Sequence, residues 1–427
     1  MTKSLVCVAS LALAAGTALA VDPMGAEMIP ALPGGNGTVG YGVNDNGMVV
    51  GQADQGDSIV AFVYFMGVTE ALPLLAGGSE GLAQSVNNSG VVVGTCRDAG
   101  GVSRAVKWTK AGDVWSIIDL GTLRTDDTGF GVAQRVNSAG MVIGYSTRPE
   151  GGAYHATLWD AAGNATDLGT MNYSGNLAYS QGLGLNDAGD TSGYAYRVLG
   201  GPEHGMYVPA GEHSQDITPL AQFGLAQWHQ VNGNGMLGGY VSGPLTSGEF
   251  RPATWTEATS FVLAPMIEGL DGGYGYDLNN GGVLVGTMFH LEEDPTQSIF
   301  KAFVFDNGET ADLNTVATGI NGTMFEARSV SNSGLIVGTA DSGIGFTQAV
   351  LLYPMPVACA ADIGSQGGVP GSDGLLDNND FVVFIDYFFA QDHRADVGVQ
   401  GGAPGHDNEW NNNDFVVFID QFFAGCI

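Results

Sequence analysis

Asn87-Asn88-Ser89-Gly90-Val91-Val92-Val93-Gly94 is the stretch on which the fold turns. Its phrase is an apolar residue, Asn, two variable residues, Gly, a short apolar run and a second Gly. The phrase also occurs at Asn44, Asn137, Asn186, Asn232 and Asn279, and in degenerate form at Ser331-Asn332-Ser333-Gly334. These seven anchors follow one another at intervals of 43, 50, 49, 46, 47 and 52 residues. Asn-x-x-Gly reads as a tight hairpin turn, since Asn and Gly both tolerate the positive φ such turns require. Val91-Val92-Val93-Gly94 reads as a strand buried on both faces, its Gly allowing another backbone to approach closely.

A second phrase follows each anchor: a small residue, then apolar positions ending in an aromatic, as in Ala61-Phe62-Val63-Tyr64, Ala105-Val106-Lys107-Trp108 and Ala156-Thr157-Leu158-Trp159. A third element precedes the next anchor, as in Ile118-Asp119-Leu120-Gly121-Thr122-Leu123. Each unit therefore offers about four short strands, and a lone unit would expose sheet faces that stacked neighbours bury. Repeats of this length and strand content predict a seven-bladed β-propeller over residues 21–353. An open β-solenoid is the alternative, though its repeats are usually shorter. The repeated Trp and Tyr read as blade core. The anchors alone leave open whether strands from both chain ends close the ring.

Composition agrees with a Gly-rich β protein: 68 of 427 residues are Gly, with no period of three, and only 13% are charged. The formal net charge of -31 leaves no basic footprint for nucleic acid and disfavours anionic membrane surfaces. At the N-terminus, Lys3, the apolar run Leu5 to Ala15 and Ala18-Leu19-Ala20 read as a signal peptide over 1–20. No later apolar run is long enough to span a bilayer. The expectation is a secreted, soluble mature chain, free of Cys7. Cys359 and Cys426 bracket a duplicated C-terminal segment and are the natural disulfide pair in an oxidising compartment. Cys96 is then left alone, and reads as a buried, inert thiol.

The repeat phrases resemble the HAF family of extracellular repeats, whose unit carries His-Ala-Phe, a Leu-Gly step and an Asn-x-x-Gly turn. His155-Ala156, Ala61-Phe62 and Ala302-Phe303 keep parts of the name motif. Leu120-Gly121-Thr122-Leu123 and Leu168-Gly169-Thr170-Met171 keep the Leu-Gly step. The resemblance covers most of residues 30–353 and implies no defined chemistry.

Beyond a short linker at 354–358, Asn379 to Phe388 (NDFVVFIDYF) returns as Asn413 to Phe422 (NDFVVFIDQF). Before the first copy, Asp373-Gly374-Leu375-Leu376-Asp377-Asn378-Asn379-Asp380 has the spacing of positions 5 to 12 of a calcium loop. Asp373, Asp377 and Asp380 would offer side-chain oxygens, Gly374 the sharp bend and Leu375 a backbone carbonyl. The second copy aligns Asp407, Glu409, Asn411 and Asp414, with Asn408 at the bend. Asp362 and Asp396 stand upstream as candidates for the first ligand, each followed by a Gly-rich insertion. Two Ca2+ sites are therefore expected. Phe381, Phe384, Ile385, Phe388 and Phe389 form one face of a helix starting at Asp380, repeated at Phe415, Phe418, Ile419, Phe422 and Phe423. The two faces are expected to pack on each other.

This paired loop-helix over residues 359–427 resembles a dockerin, and more closely the variant ending in Gly-Cys, here Gly425-Cys426. The resemblance implies a small α-helical, EF-hand-type calcium domain, with ligands at Asp373, Asp377, Asp380, Asp407, Asn411 and Asp414. It also implies a cohesin-like or other surface-anchoring partner, read by Asn378, Asn379, Asn412 and Asn413. The Gly-rich insertion departs from the family pattern.

No catalytic constellation emerges. A glycosidase needs two facing carboxylates, and spacing pairs none of Asp119, Asp167, Asp187, Glu293 and Asp294. His290-Leu291-Glu292-Glu293-Asp294 lacks a second His at ligand spacing. The reading is a secreted non-catalytic propeller for binding or scaffolding, with a glycan as one possible ligand. A dockerin-borne polysaccharide hydrolase or lyase predicts carboxylates converging at the ring mouth. A binding module predicts an aromatic or Asn-rich surface without perturbed acids, and a structural surface-layer component predicts self-association.

Overall fold

The structure, a computed structural model, describes residues 24–354 apart from 57, 127, 150–152, 172–177, 197–200, 219–223 and 342–344. Toward the C-terminus it describes 364–365, 368–370, 376–391, 395, 397–399, 403–404 and 409–424. The chain forms a mostly-β, seven-bladed propeller. Among the described residues six blades are four-stranded antiparallel sheets in simple sequence order, and the seventh has five strands. The innermost strands are Thr38–Val43, Gly81–Val86, Gly131–Val136, Tyr179–Leu185, Leu225–Val231, Gly272–Leu278 and Thr323–Val330. Each contacts the next around the ring, and the first contacts the seventh.

Closure mixes the two ends of the propeller. Met24–Met28 lies outside Thr347–Pro354 in the seventh blade, with Met24 opposite Pro354 and Met28 opposite Val350. The first described strand thereby completes the last blade, which runs one residue past the expected boundary. The core lies between blades rather than within one. Trp108 packs with Val50 and Ala61 of the preceding blade, and Trp159 with Val93 and Ala105 of its own preceding blade. Both indoles are fully buried, as the reading of the repeated aromatics expected.

The anchor phrase encodes three devices. Each turn Gly has positive φ, from 74° at Gly235 to 93° at Gly189, but the Asn does not. Asn is present for its side chain instead. Its Oδ1 accepts the N–H four residues on at 2.9–3.0 Å, closing its own turn. Its Nδ2 donates to the anchor carbonyl of the next blade at 2.9–3.1 Å, from Asn44 to Asn87 and so on to Ser331. Ser331 closes its own turn through Oγ, at 3.1 Å from the Leu335 N–H. The last join keeps the same direction without the side-chain amide: the N–H groups of Asn332 (2.7 Å) and Ser333 (3.1 Å) donate to Asp45 Oδ1 of the first blade.

The third device is the second Gly of the phrase. Every inner strand carries a β-bulge three residues before its anchor, as between Gly40 and Gly42 or Ala83 and Ser85. The Gly seven residues after the anchor lies opposite that bulge. A Cβ there would sit 1.9–2.0 Å from an inner-strand carbonyl in all seven blades, at Gly51, Gly94, Gly144, Gly193, Gly239, Gly286 and Gly338. Only a residue without a side chain fits, so the expected close approach is met in every unit.

In the C-terminal repeat, helices Asn378–Ala390 and Asn412–Ala424 pack on each other through Phe384 and Phe418, stacked at 3.9 Å. In each copy two short strands pair antiparallel, Gly364–Ser365 with Val369–Pro370 and Gly398–Val399 with Ala403–Pro404. Two details depart from the sequence reading. The first helix begins at Asn378 rather than Asp380, because Asp377 caps it and Asp380 returns a bond to the Asp377 N–H. Its buried arc is Asp380, Val383, Phe384 and Tyr387, which leaves Phe389 77% exposed and its equivalent Phe423 79% exposed. Residue 389 lies on the far side of the helix from 384 and 387, whose turns meet the partner helix.

The belt yields a direct test. Asn137→Asp keeps the turn acceptor but sets an oxygen against the buried Asn186 carbonyl. It should lower unfolding free energy by about 1–3 kcal/mol, the cost of leaving a buried acceptor unmatched. Asn234→Asp, whose amide meets the exposed carbonyl of Asn280, should lose less. Denaturant titration that finds Asn137→Asp as stable as the parent would remove the belt as a stabilising element.

Candidate functional site

The bulge positions are where the ring turns its side chains inward. One residue per blade, three before each anchor, stands there: Tyr41, Gln84, Gln134, Leu183, His229, Tyr276 and Arg328. All seven line a single cavity of about 300 Å³ in the central channel, joined by Arg135, Gln181, Tyr194 and Gln227. A bulge bends the strand and re-aims the unpaired residue, so a repeated bulge builds a ring of inward-facing side chains.

Next along the strands, Arg135 of the third blade reaches Asp277 of the sixth, with Nη1 2.9 Å from Oδ1. Asp277 is almost fully buried, and its Oδ2 also accepts from Ser329 Oγ (2.8 Å) and the Val330 N–H (2.9 Å). This crossbar spans the channel. Arg135 lines both the 300 Å³ cavity and a smaller one of about 170 Å³ bordered by the Asn belt.

Charges at the wall are consumed locally. Arg328 makes a two-pronged pair with Glu326, at 2.8 Å through Nε and 2.7 Å through Nη2. Its guanidinium lies 4.3 Å from the Tyr276 ring centroid and 5.8 Å from that of Tyr41. Glu203 accepts from Tyr196 Oη at 2.6 Å and from Gln227 Nε2. Gln227 Oε1 in turn faces His229 Nε2 at 3.2 Å, which makes Nε2 the protonated nitrogen of a neutral ring. Burial, then the Arg328 and Arg135 charges, lower the His229 pKa to about 3. Burial raises the Tyr276 phenol to about 12 and pushes Tyr41, Tyr194 and Tyr240 upward. At neutral pH the wall offers amides, phenols and an uncharged imidazole.

Among the described residues no carboxylate lines this cavity. Asp119 pairs with Arg104 at 2.7 Å and Asp167 with His155 at 2.8 Å, joining the third and fourth strands of their blades. Asp187 accepts the Ser138 N–H and Asp294 the Thr296 N–H. Glu293 is exposed on the same loop as Asp294. His290 reaches Asp271 and Glu292 at an exposed site. None of these acids faces another across a cleft. Cys96 is buried, accepts the Leu75 N–H at 3.3 Å and has its thiol pKa raised chiefly by burial, in keeping with an inert thiol.

In the C-terminal repeat, the carboxylates of Asp380 and Asp414 are fully buried in the first turns of their helices. Asp380 accepts the Asp377 N–H, and Asp414 those of Val397 and Asn411, all at 2.8 Å. Asp377 and Asn411 sit beside them as helix caps, and Glu409 is exposed. Asp362, Asp373, Leu375, Asp396 and Asp407 lie outside the described residues, as do Cys359 and Cys426. Among the described residues no three acidic, His or Cys side chains converge on one point. Asn378 and Asn412 are exposed, whereas Asn379 is half-buried and accepts the Gly368 N–H. Asn413 is half-buried and gives its N–H to Asn411 Oδ1.

The channel residues were not singled out in sequence, although a signal was present: position three before each anchor carries a large, mostly polar side chain of changing type, whereas the position just before the anchor is Val or Leu in every unit. No family model matches the chain, and no curated protein does. Among solved structures it is similar to a puromycin hydrolase, at 14% identity over 76% of this chain and 52% of that one, with a TM-score of 0.50. It is also similar to virginiamycin B lyase from Staphylococcus aureus, at 11% identity over 78% of this chain and 99% of that one, TM-score 0.46. YCF48 from Cyanidioschyzon merolae aligns at 12% identity over 77% and 99%, TM-score 0.44. At such identities the likeness is one of fold alone.

His229 has a measurable consequence. Its folded pKa of about 3 lies below the ordinary value of 6.5, so between those values the unfolded chain binds a proton that the folded chain refuses. Stability from this group is present above pH 6.5 and is lost as pH falls toward 3. His229→Gln should therefore flatten the loss of stability between pH 7 and 4.5, read from denaturant midpoints. An offset between variant and parent that is equal at both pH values would show that the imidazole does not titrate this way.

Proposed function

We propose that this chain is a secreted, non-catalytic binding propeller. Its ligand enters the channel mouth, and a calcium-binding, dockerin-like module holds it at an extracellular or cell-surface anchor. The observation that carries the binding reading is the channel wall: ring-wide amides and phenols, with Glu203, Glu326 and Asp277 each committed to protein partners. Acid–base catalysis on a glycosidic bond needs two available carboxylates across one cleft, and among the described residues the channel cavity is lined by none. The HAF-like phrases and the leader-like first 20 residues support an extracellular location.

The anchoring reading rests on the duplicated loop-helix. Its donor chemistry fits calcium: buried Asp380 and Asp414, with Asp377 and Asn411 beside them, are hard oxygen donors, and a carboxylate retains acceptor capacity after one or two backbone bonds. Bound calcium would neutralise these acids and tie each loop to its helix. Asp373 and Asp407, with Asp362 and Asp396 as first-ligand candidates and the carbonyls of Leu375 and Glu409, would complete two sets. A Cys359–Cys426 disulfide would staple the module's ends. Asn378 and Asn412, the exposed members of the partner-reading set, are the better placed to meet a cohesin-like anchor, with Asn379 and Asn413 beside them.

Two experiments decide. Incubating the full chain with neutral and acidic polysaccharides should release neither new reducing ends nor unsaturated products. Turnover that disappears in Glu203→Gln or Glu326→Gln would replace the binding reading with an enzymatic one. Calorimetric titration of the chelator-stripped full chain with calcium should show two sites, lost in the Asp373→Ala, Asp407→Ala double variant. Absence of binding heat, with no chelator effect on melting, would reject the calcium module.

A further inference from the structure

The cavity at the channel mouth continues outward. Gln84 and Gln134, on adjacent blades, line both this cavity and a second hollow of about 350 Å³, where Tyr145 and the Arg97–Glu80 pair also stand. The two carboxamides are thus the shared wall of two compartments of similar size. Neither side chain makes a hydrogen bond within the described protein, and neither do the hydroxyls of Tyr41 and Tyr276. Each is half-buried and borders the channel cavity.

Three features narrow what can fill this pair of hollows. The first is charge. Arg328 is paired with Glu326, Arg135 with Asp277 and Arg97 with Glu80 at 2.7 Å, so an ionic ligand would have to break an existing pair to find a counter-charge. The Tyr41 and Tyr276 rings already hold the Arg328 guanidinium. The second is hydrogen-bond type. A carboxamide presents a donor and an acceptor side by side, which matches a hydroxyl, itself both donor and acceptor. The ring surfaces of Tyr194 and Tyr145 complement the apolar C–H face that a polyhydroxylated ring also carries. The third is the crossbar. Arg135 and Asp277 block passage along the channel, so a chain-like ligand can enter only by its end.

We infer that the channel cavity and the adjoining hollow form two successive subsites for the end of an uncharged oligosaccharide. The terminal ring would sit among Tyr41, Tyr276 and the two glutamines, and the next ring over Tyr145. A peptide end fits less well, because it brings an ammonium or carboxylate group into a cavity whose charges are already paired, and among the described residues Leu183 is the one aliphatic side chain on the channel cavity's wall. The inference rests on the channel mouth being the ligand site.

The test uses the full chain on a printed array of neutral, uronic-acid and amino-sugar oligosaccharides, followed by calorimetry with the tightest neutral one. Neutral linear chains should bind, and a cyclic oligosaccharide of the same units, having no end, should not. Gln84→Leu and Gln134→Leu should each weaken binding about tenfold or more, the scale of stranding a hydrogen-bonded hydroxyl, with unchanged melting. Tyr145→Ala should remove the advantage of a disaccharide over its monosaccharide while leaving monosaccharide affinity intact. Preference for uronic acids, amino sugars or an uncapped tripeptide, lost in the same glutamine variants, would overturn the ligand class and leave the channel-mouth reading standing. Neutral binding unchanged by both glutamine variants, or no binding of any probe, would overturn both.

Discussion

A side-chain amide that serves two blades at once is the constraint from which the rest of this molecule follows. The anchor Asn closes its own hairpin through Oδ1 and the gap to the next blade through Nδ2. Neither Asp nor Ser can do both: Asp lacks the donor, and Ser lacks the reach. Ser331 demonstrates the second point, because the seam it leaves is joined by backbone N–H groups of Asn332 and Ser333 reaching Asp45 instead. That seam is also where the chain ends of the propeller meet, with Met24–Met28 laid against Thr347–Pro354. The weakest belt position and the strand closure thus coincide, so the seventh blade is held by an outer strand where its inner turn lacks an amide.

The belt has a second tier of the same kind. The N–H of the residue after each anchor is accepted by the side chain of the corresponding residue in the next blade, as from Asp45 to Asn88 at 3.0 Å and from Asn280 to Asn332 at 2.9 Å. It breaks where that acceptor would be Ser138 or Gly233, which have no side-chain carbonyl. Belt and bulge divide the labour along each inner strand. The turn end is fixed by bonds around the ring, and the bulge three residues earlier is then free to carry any side chain. The Gly opposite each bulge is what permits this, since a Cβ would overlap a carbonyl oxygen.

That division explains what could be read from the sequence. Asn87, Gly90 and Gly94 recur because each meets a geometric demand common to all blades, so blade number and strand order were legible. The reason for Asn was misread as positive φ, since the inter-blade bond is visible only once neighbouring units are in register. Tyr41, Gln84, Gln134, Leu183, His229, Tyr276 and Arg328 border the channel cavity, where they meet one another rather than a repeated blade core, so no packing requirement makes them alike. They were invisible to a search for repetition for the reason that makes them interesting. The helix faces at the C-terminus erred by rotation alone: apolar spacing is satisfied by Phe389 as well as by Val383, and only the position of the partner helix decides between them.

Charge gives the channel its character. The chain carries 44 acids and 13 bases, yet Arg97, Arg135 and Arg328 gather at or beside the channel mouth, each against a single acid. Exposed carboxylates elsewhere act weakly at this distance, because salt screens charges beyond about 8 Å at physiological ionic strength. Inside the channel the Arg135–Asp277 pair is largely shielded from solvent ions, so its balance contributes to the local field. A wall with paired charges and idle amides would discriminate among ligands by hydrogen-bond geometry rather than by attraction from afar. On the proposed binding role, selectivity of that kind would reject a ligand lacking the right hydroxyl more strongly than one merely differing in bulk.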